Sequence, residues 1–244
     1  GWKATNEPRR RLKQVPLDLP EELVAGSGLT MVGTPDGRLV VCAGSEVHIL
    51  DSSMHVLQTA TVLEHDASDM IAASDDSIFS SNRHGKALHR SSHDGTVDAE
   101  YQLEGYHFCC PVLAPGGLLF CVVYTEDDTE GNDERDEIIA LDAQTLQLRH
   151  RFGLGLLNDA GQLAVVGDEL YVCDIKNHRL QVFALTGEHR RSVTGEWKSP
   201  VRLCFAKDRL YLVERAQGIT LQGRRILVLS LQGDILQVVT HPTE

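Results

Sequence analysis

The stretch GQLAVVGDELYVCDIKNHRLQVFALTGE, residues 161–188, decides the fold. It contains three short apolar runs, QLAVVG (162–167), LYVCD (170–174) and RLQVFAL (179–185). Gly167-Asp168 separates the first two, and Asn177-His178 the second pair. Runs of this length, rich in Val, Leu, Tyr and Phe and bounded by Gly, Asp and Asn, read as antiparallel strands joined by tight turns. A helical reading fails across the whole chain, because Gly and Asp pairs interrupt it every eight to twelve residues or so. PEELVAG (20–26) has room for one helical turn at most.

The same unit recurs on both sides of this stretch. PDGRLVVC (35–42), SDDSIFSS (74–81), PGGLLFCV (115–122), GDELYVCD (167–174) and KDRLYLVE (207–214) each lead from a turn into an apolar run. Their first apolar residues, Leu39, Ile78, Leu119, Leu170 and Leu210, are spaced by 39, 41, 51 and 40 residues. Each run has a strand candidate before it, such as LTMVG (29–33) or VRLCFA (201–206), and one after it, such as EVHILD (46–51) or RILVLSL (225–231). A weaker fourth strand follows, as in HVLQTATV (55–62) or DILQVV (234–239). A four-strand unit with a period near forty is the signature of propeller blades. One such blade has two apolar faces and buries them only against neighbouring blades. With aromatics at 5% of the chain, Val, Leu, Ile and Ala must do most of that packing.

The quoted stretch resembles an NHL repeat. The match is carried by Asp174, Asn177, His178, Arg179, Gln181, Val182 and Phe183. The fifth unit keeps the strand pattern but has Glu214 for the Asp and lacks the Asn-His pair. The first three are similar only in strand pattern. The resemblance implies an all-β propeller of four-stranded antiparallel blades, six-bladed or a fragment with five recognisable blades. Blades are expected at about 27–63, 64–105, 106–155, 156–195 and 196–242 within a propeller spanning 27–244. Residues 1–26, with three prolines and a basic run at Arg9, Arg10 and Arg11, are expected as a linker or closing segment. The wide third spacing marks an insertion, TEDDTEGNDERDE (125–137), with eight acidic residues in thirteen. That composition reads as a solvated hairpin tip, and it lacks the spacing of an EF-hand loop.

Asp174, Asn177, His178 and Arg179 read as a structural motif: Asp174 closes one strand, Asn177 takes the turn in left-handed geometry, and Arg179 reaches back to Asp174 across the hairpin. The competing reading points His178 and its neighbours into a ligand site.

Other chemistry finds little support. There is no G-x-S-x-G elbow, no H-E-x-x-H and no finger spacing of Cys and His. His84, His89 and His93 fall on opposite faces or in different turns. Pro115-Gly116-Gly117 and Gly153-Leu154-Gly155 precede no helix, so they serve turns rather than phosphates. Gluconolactonase-like and peptide-amidating enzymes have similar propellers and hold a metal with residues from several blades. Here only Asp174 and Glu214 match in register, against Ala43, Asn82 and Tyr124 in the first three blades. No metal or cofactor is therefore expected.

The net charge of −12 disfavours phosphate backbones and anionic lipid. No run of eighteen apolar residues appears, so no membrane span is expected. Cys42, Cys109, Cys110, Cys121, Cys173 and Cys204 form no CxxC pair and mostly lie in apolar runs, which fits buried free thiols in a reducing, cytoplasmic setting. The C-terminal half is more basic than the acidic middle. Arg190, Arg191, Arg224 and Arg225 are its candidate interaction surface. The leading expectation is a non-catalytic module that binds a protein partner through its blade loops. A metal-dependent hydrolase or lyase and an RNA binder that uses those arginines are the alternatives.

Overall fold

Pairing of strands consecutive in sequence builds each blade among the described residues. The protein, described here from a computed structural model, is an all-β propeller with five four-stranded antiparallel blades among the described residues. These are residues 3–4, 29–43, 46–53, 55–61, 70–74, 76–81, 86–125, 136–214 and 225–240. The expected helical turn at 20–26, the core of the acidic insertion at 126–135, His84 and Arg224 lie outside them. Among the described residues no helix is long and apolar enough to cross a membrane.

In chain order, β1 (Lys3–Ala4) precedes the first blade, β2 (Leu29–Gly33), β3 (Leu39–Ala43), β4 (Glu46–Leu50) and β5 (Val56–Thr61). The second blade is β6 (Met70–Ala73), β7 (Ser77–Ser81), β8 (Ala87–Ser92) and β9 (Val97–Gln102). The third is β10 (Tyr106–Ala114), β11 (Leu118–Thr125), β12 (Glu137–Asp142) and β13 (Leu148–Phe152). The fourth is β14 (Ala160–Val166), β15 (Glu169–Asp174), β16 (Arg179–Ala184) and β17 (His189–Val193). The fifth is β18 (Pro200–Ala206), β19 (Arg209–Glu214), β20 (Arg225–Leu229) and β21 (Ile235–Thr240). In every blade the strands pair in sequence order. β1 adds a short fifth strand to the last blade, with Lys3 opposite Thr240 and Ala4 opposite Val239.

The chain divides into two compact units. In the unit formed by 13–129 and 139–149, the first two blades bury Val40, Cys42, Val47, Ile49, Ala73 and Ile78 in one cluster. A second cluster joins Phe79, Leu88, Phe108, Leu119, Cys121 and Leu141. Its outer turns are tied by aspartates: Asp51 accepts the Ser53 and His55 amides, and Asp142 those of Gln144 and Thr145. The Arg149 guanidinium holds the Asp142 carboxyl well below the usual carboxylate range.

The unit formed by 1–12, 130–138 and 150–244 carries the fourth and fifth blades. Its main cluster, including Tyr171, Cys173, Leu180, Val182, Leu210, Leu212, Leu227 and Leu229, is fully buried between the two sheets. Each buried Leu or Val there contributes about 1.5–3 kcal/mol of transfer free energy. The hairpin turns follow their residues. Gly167, at φ +60, opens the two-residue turn between β14 and β15. Lys207 and Asp208, at φ 50 and 59, form the corresponding turn between β18 and β19 with the both-left-handed pattern of a type I′ turn. The inner strands β10, β14 and β18 each carry a bulge, after Cys109, Ala160 and Pro200 respectively. Five of the six cysteines are buried and free. Cys204 departs from the expectation: it is free but exposed, because its position in β18 turns away from the apolar cluster that takes Leu203.

Between β17 and β18 the Trp197 ring is buried against two glycines. A Cβ on Gly195 would lie 1.9 Å from the ring, and one on Gly233 would lie 3.1 Å from it. Gly195→Ala must therefore move a core tryptophan, and overpacking of this kind costs about 1–3 kcal/mol. Chemical denaturation of this variant is expected to show a lowered midpoint with an unchanged slope; wild-type stability would show that the ring is free to shift.

Candidate functional site

The centre of the site is a carboxylate at the end of a strand. Asp174 closes β15 and is 0% exposed. A carboxylate in that position must be satisfied by hydrogen bonds from the chain around it. Oδ1 accepts the Asn158 amide at 2.9 Å and Asn177 Nδ2 at 3.0 Å. Oδ2 accepts Arg179 Nε at 2.7 Å and Gln181 Nε2 at 3.4 Å. Arg179 also donates through Nη2 to the Leu156 carbonyl at 3.2 Å, and Gln181 donates to the same oxygen at 3.3 Å. The Lys176 and Ile175 amides donate to the carbonyls of Asn158 and Asp159. The β15–β16 turn, 175–178, is thus tied to the loop 153–159.

A second tie runs to the loop 194–199. His178 Nδ1 accepts the Ser199 amide at 3.0 Å. The neutral ring then carries its proton on Nε2. In the fifth blade Glu214 takes the part of Asp174: it is buried and accepts the Lys198 amide at 2.8 Å. Three non-glycine residues hold left-handed backbone in these linked segments: Asp159 at φ 57, His178 at φ 56 and Ser199 at φ 46. Such strain persists only where the surroundings impose it, and it gathers at functional loops. Leu154 and Leu156 stand on the same surface, 60% and 41% exposed.

The predicted motif residues Asp174, Asn177, His178 and Arg179 are therefore together. One detail differs from expectation: the left-handed residue of the turn is His178, not Asn177. The His178 amide closes the turn on the Ile175 carbonyl, so the chain reverses at the last loop position, while the Asn177 amide group stays on the carboxylate. Leu154 figured in the sequence only as part of the Gly153-Leu154-Gly155 turn, and Leu156, Asn158 and Ser199 were not singled out. The Gly-Leu-Gly-Leu-Leu run at 153–157 was the available signal, since apolar residues in a turn are unusual.

The predicted arginine surface is not one cluster. Arg190 and Arg191 lie in β17, where Arg191 pairs with Val182 and so stands level with Tyr171, three residues along β15 from Asp174; their side chains reach toward Glu169, at the other end of β15. There Glu169 accepts both nitrogens of the Arg191 fork, one at 2.8 Å, and Arg190 reaches Asp168 at 2.8 Å and Glu169 at 3.2 Å. Arg191 also donates to the Tyr171 hydroxyl at 2.6 Å. Arg225 sits in β20, one residue beyond the Val213–Ile226 pair; the Cys173–Leu180 pair puts Arg179 at the same register of the fourth blade. Arg225 thus belongs to the Asp174 end, and Arg224 lies outside the described residues. His89 pairs with Glu100 and His93 faces Arg38, and no group of three metal-ligating side chains gathers among the described residues.

No protein-family model matches the chain. No curated protein matches it either. Solved structures do. A protein of unknown function from Bacteroides caccae is 13% identical with a TM-score of 0.60, over 83% of this chain and 73% of that one. Virginiamycin B lyase from Staphylococcus aureus is 16% identical with a TM-score of 0.62, over 88% and 71%. A chain of the nidogen–laminin complex is 14% identical with a TM-score of 0.64, over 88% and 81%. At these identities the likeness is one of fold.

Two measurements test the electrostatics. Asp174→Ala leaves the Arg179 guanidinium and the Asn158 amide without their acceptor, and is expected to lower unfolding free energy by about 3–5 kcal/mol. In a double-mutant cycle with Arg179→Met the loss should be less than additive, and strict additivity would show that the pair is not coupled. At the other end, hydrogen bonds from Arg191 pull the Glu169 carboxyl from 4.5 down to about 2. Its contribution is complete above pH 4.5 and fades as pH falls toward 2. Because Arg190 and Arg191 are 35% and 39% exposed, screening limits it to about 1 kcal/mol. Glu169→Gln should lose that amount at neutral pH and progressively less as pH falls from 4.5 through 2, as read by denaturation across the acid range.

Proposed function

We propose that the chain is a non-catalytic interaction module of the NHL-repeat kind. It binds a protein partner through the loops 153–159, 175–178 and 194–199. One observation carries this reading: three loops from two blades are cross-tied through Asp174 and His178, hold strained backbone, and present Leu154 and Leu156 to solvent. Rigid loops lose little entropy on binding, and exposed apolar residues on a fixed frame are what an interface needs. The resemblance of 161–188 to NHL repeats supports the same reading, because the matching residues are the ones that fix the turn. The arginine ends of Arg190 and Arg191 are already compensated by carboxylates, which weakens the RNA alternative.

The test is affinity capture with immobilised wild-type protein and with Leu154→Glu/Leu156→Glu, after matched melting temperatures have been verified. Wild type is expected to retain a specific protein that the variant loses at least about tenfold, a difference of 1.4 kcal/mol or more. Equal retention by both, or no specific partner at all, would refute the assignment.

A further inference from the structure

The chemistry of the same loops says what kind of segment fits them. Arg179 is held on two sides, by Asp174 at Nε and by the Leu156 carbonyl at Nη2, and its side chain remains 31% exposed. Nη1 makes no hydrogen bond among the described residues. A guanidinium fixed this way has already lost its rotamer freedom, and its unused N–H groups suit a carboxylate. His178 is exposed and pinned by Ser199, so its Nε2–H is a second fixed donor. The Lys198 side chain is exposed in the next loop. These donors offer no acceptor in return. Beside them, and joined to Arg179 through its own carbonyl, is Leu156, with Leu154 next to it.

Donors that seek an acceptor, set against two exposed leucines, match one class of partner. Resting on the reading of this surface as an interface, we propose that it takes an extended peptide segment in which an Asp or Glu stands next to a bulky apolar residue. The carboxylate sits on Arg179 and His178, and the apolar side chain covers Leu154 and Leu156. A polyanion is the poorer fit, because it offers nothing to the leucines and meets a chain with a net charge of −12.

The test is selection of random peptides displayed on phage against the whole chain, followed by fluorescence anisotropy on synthetic versions of those enriched. Each peptide is measured beside its Asp→Asn or Glu→Gln counterpart. The variants are Leu154→Ser/Leu156→Ser and Arg179→Lys, the latter keeping the charge opposite Asp174 while losing the fork. The expected result is enrichment of acidic–apolar sequences. Amide counterparts and Arg179→Lys should each weaken binding by about 10–100-fold, the range of a charge-assisted hydrogen bond. The leucine variant should also abolish binding, and poly(U) should not compete. Enriched peptides that need the leucines but no carboxylate would overturn the peptide class and leave the interface reading intact. Displacement by poly(U) would overturn the peptide class as well. Peptides indifferent to the leucine variant, or no enrichment, would overturn both.

Discussion

A carboxylate sealed from water at the end of a strand constrains everything around it. Asp174 has no exposure, so its oxygens must be met by donors from the chain itself. Those donors come from the loop before β14, from the following turn and from the next strand. Satisfying one buried charge therefore fixes the relative position of three segments. Hydrophobic contact between sheets sets how the fourth and fifth blades pack; this cluster sets where their loops stand.

The fifth blade repeats the device with a longer side chain. Glu214 reaches the Lys198 amide as Asp174 reaches that of Asn158, and each pair is sixteen residues apart. The bulges after Ala160 and Pro200 recur at the same register. The bulge shifts the start of each inner strand by one residue, which lets its preceding loop approach the end of the neighbouring strand. Sequence divergence between the two blades, an Asp for a Glu and the loss of Asn-His, leaves this arrangement in place.

The blades were legible because strand alternation and turn residues act locally. Gly167-Asp168 and Lys207-Asp208 mark hairpins wherever they occur, and the apolar runs they join are unambiguous. The Asp174–Arg179 pair was legible for the same reason, since five residues across a tight turn put them side by side. What escaped the sequence was contact across long separations. Nothing local says that His178 meets Ser199, or that Glu169 neutralises Arg191 across two strands. A run of arginines looks like a basic patch until the carboxylates beside it in space are known. The exposure of Leu154 and Leu156 was hidden likewise, because apolar residues near glycine read equally well as a turn packed inward.

The two-residue strand at the start of the chain has a kinetic meaning. Lys3 and Ala4 pair with Thr240 and Val239, so the fifth blade acquires β1 only after every residue between them has been synthesised. During translation β1 has no partner, and the edge it will cover does not yet exist. Bringing them together closes a loop that holds the other strands of all five blades, a contact of far higher order than any strand pairing within a blade. The earlier blades close through neighbouring strands and owe nothing to it. Among the described strand pairings, that of β1 is thus the one whose two partners are synthesised furthest apart.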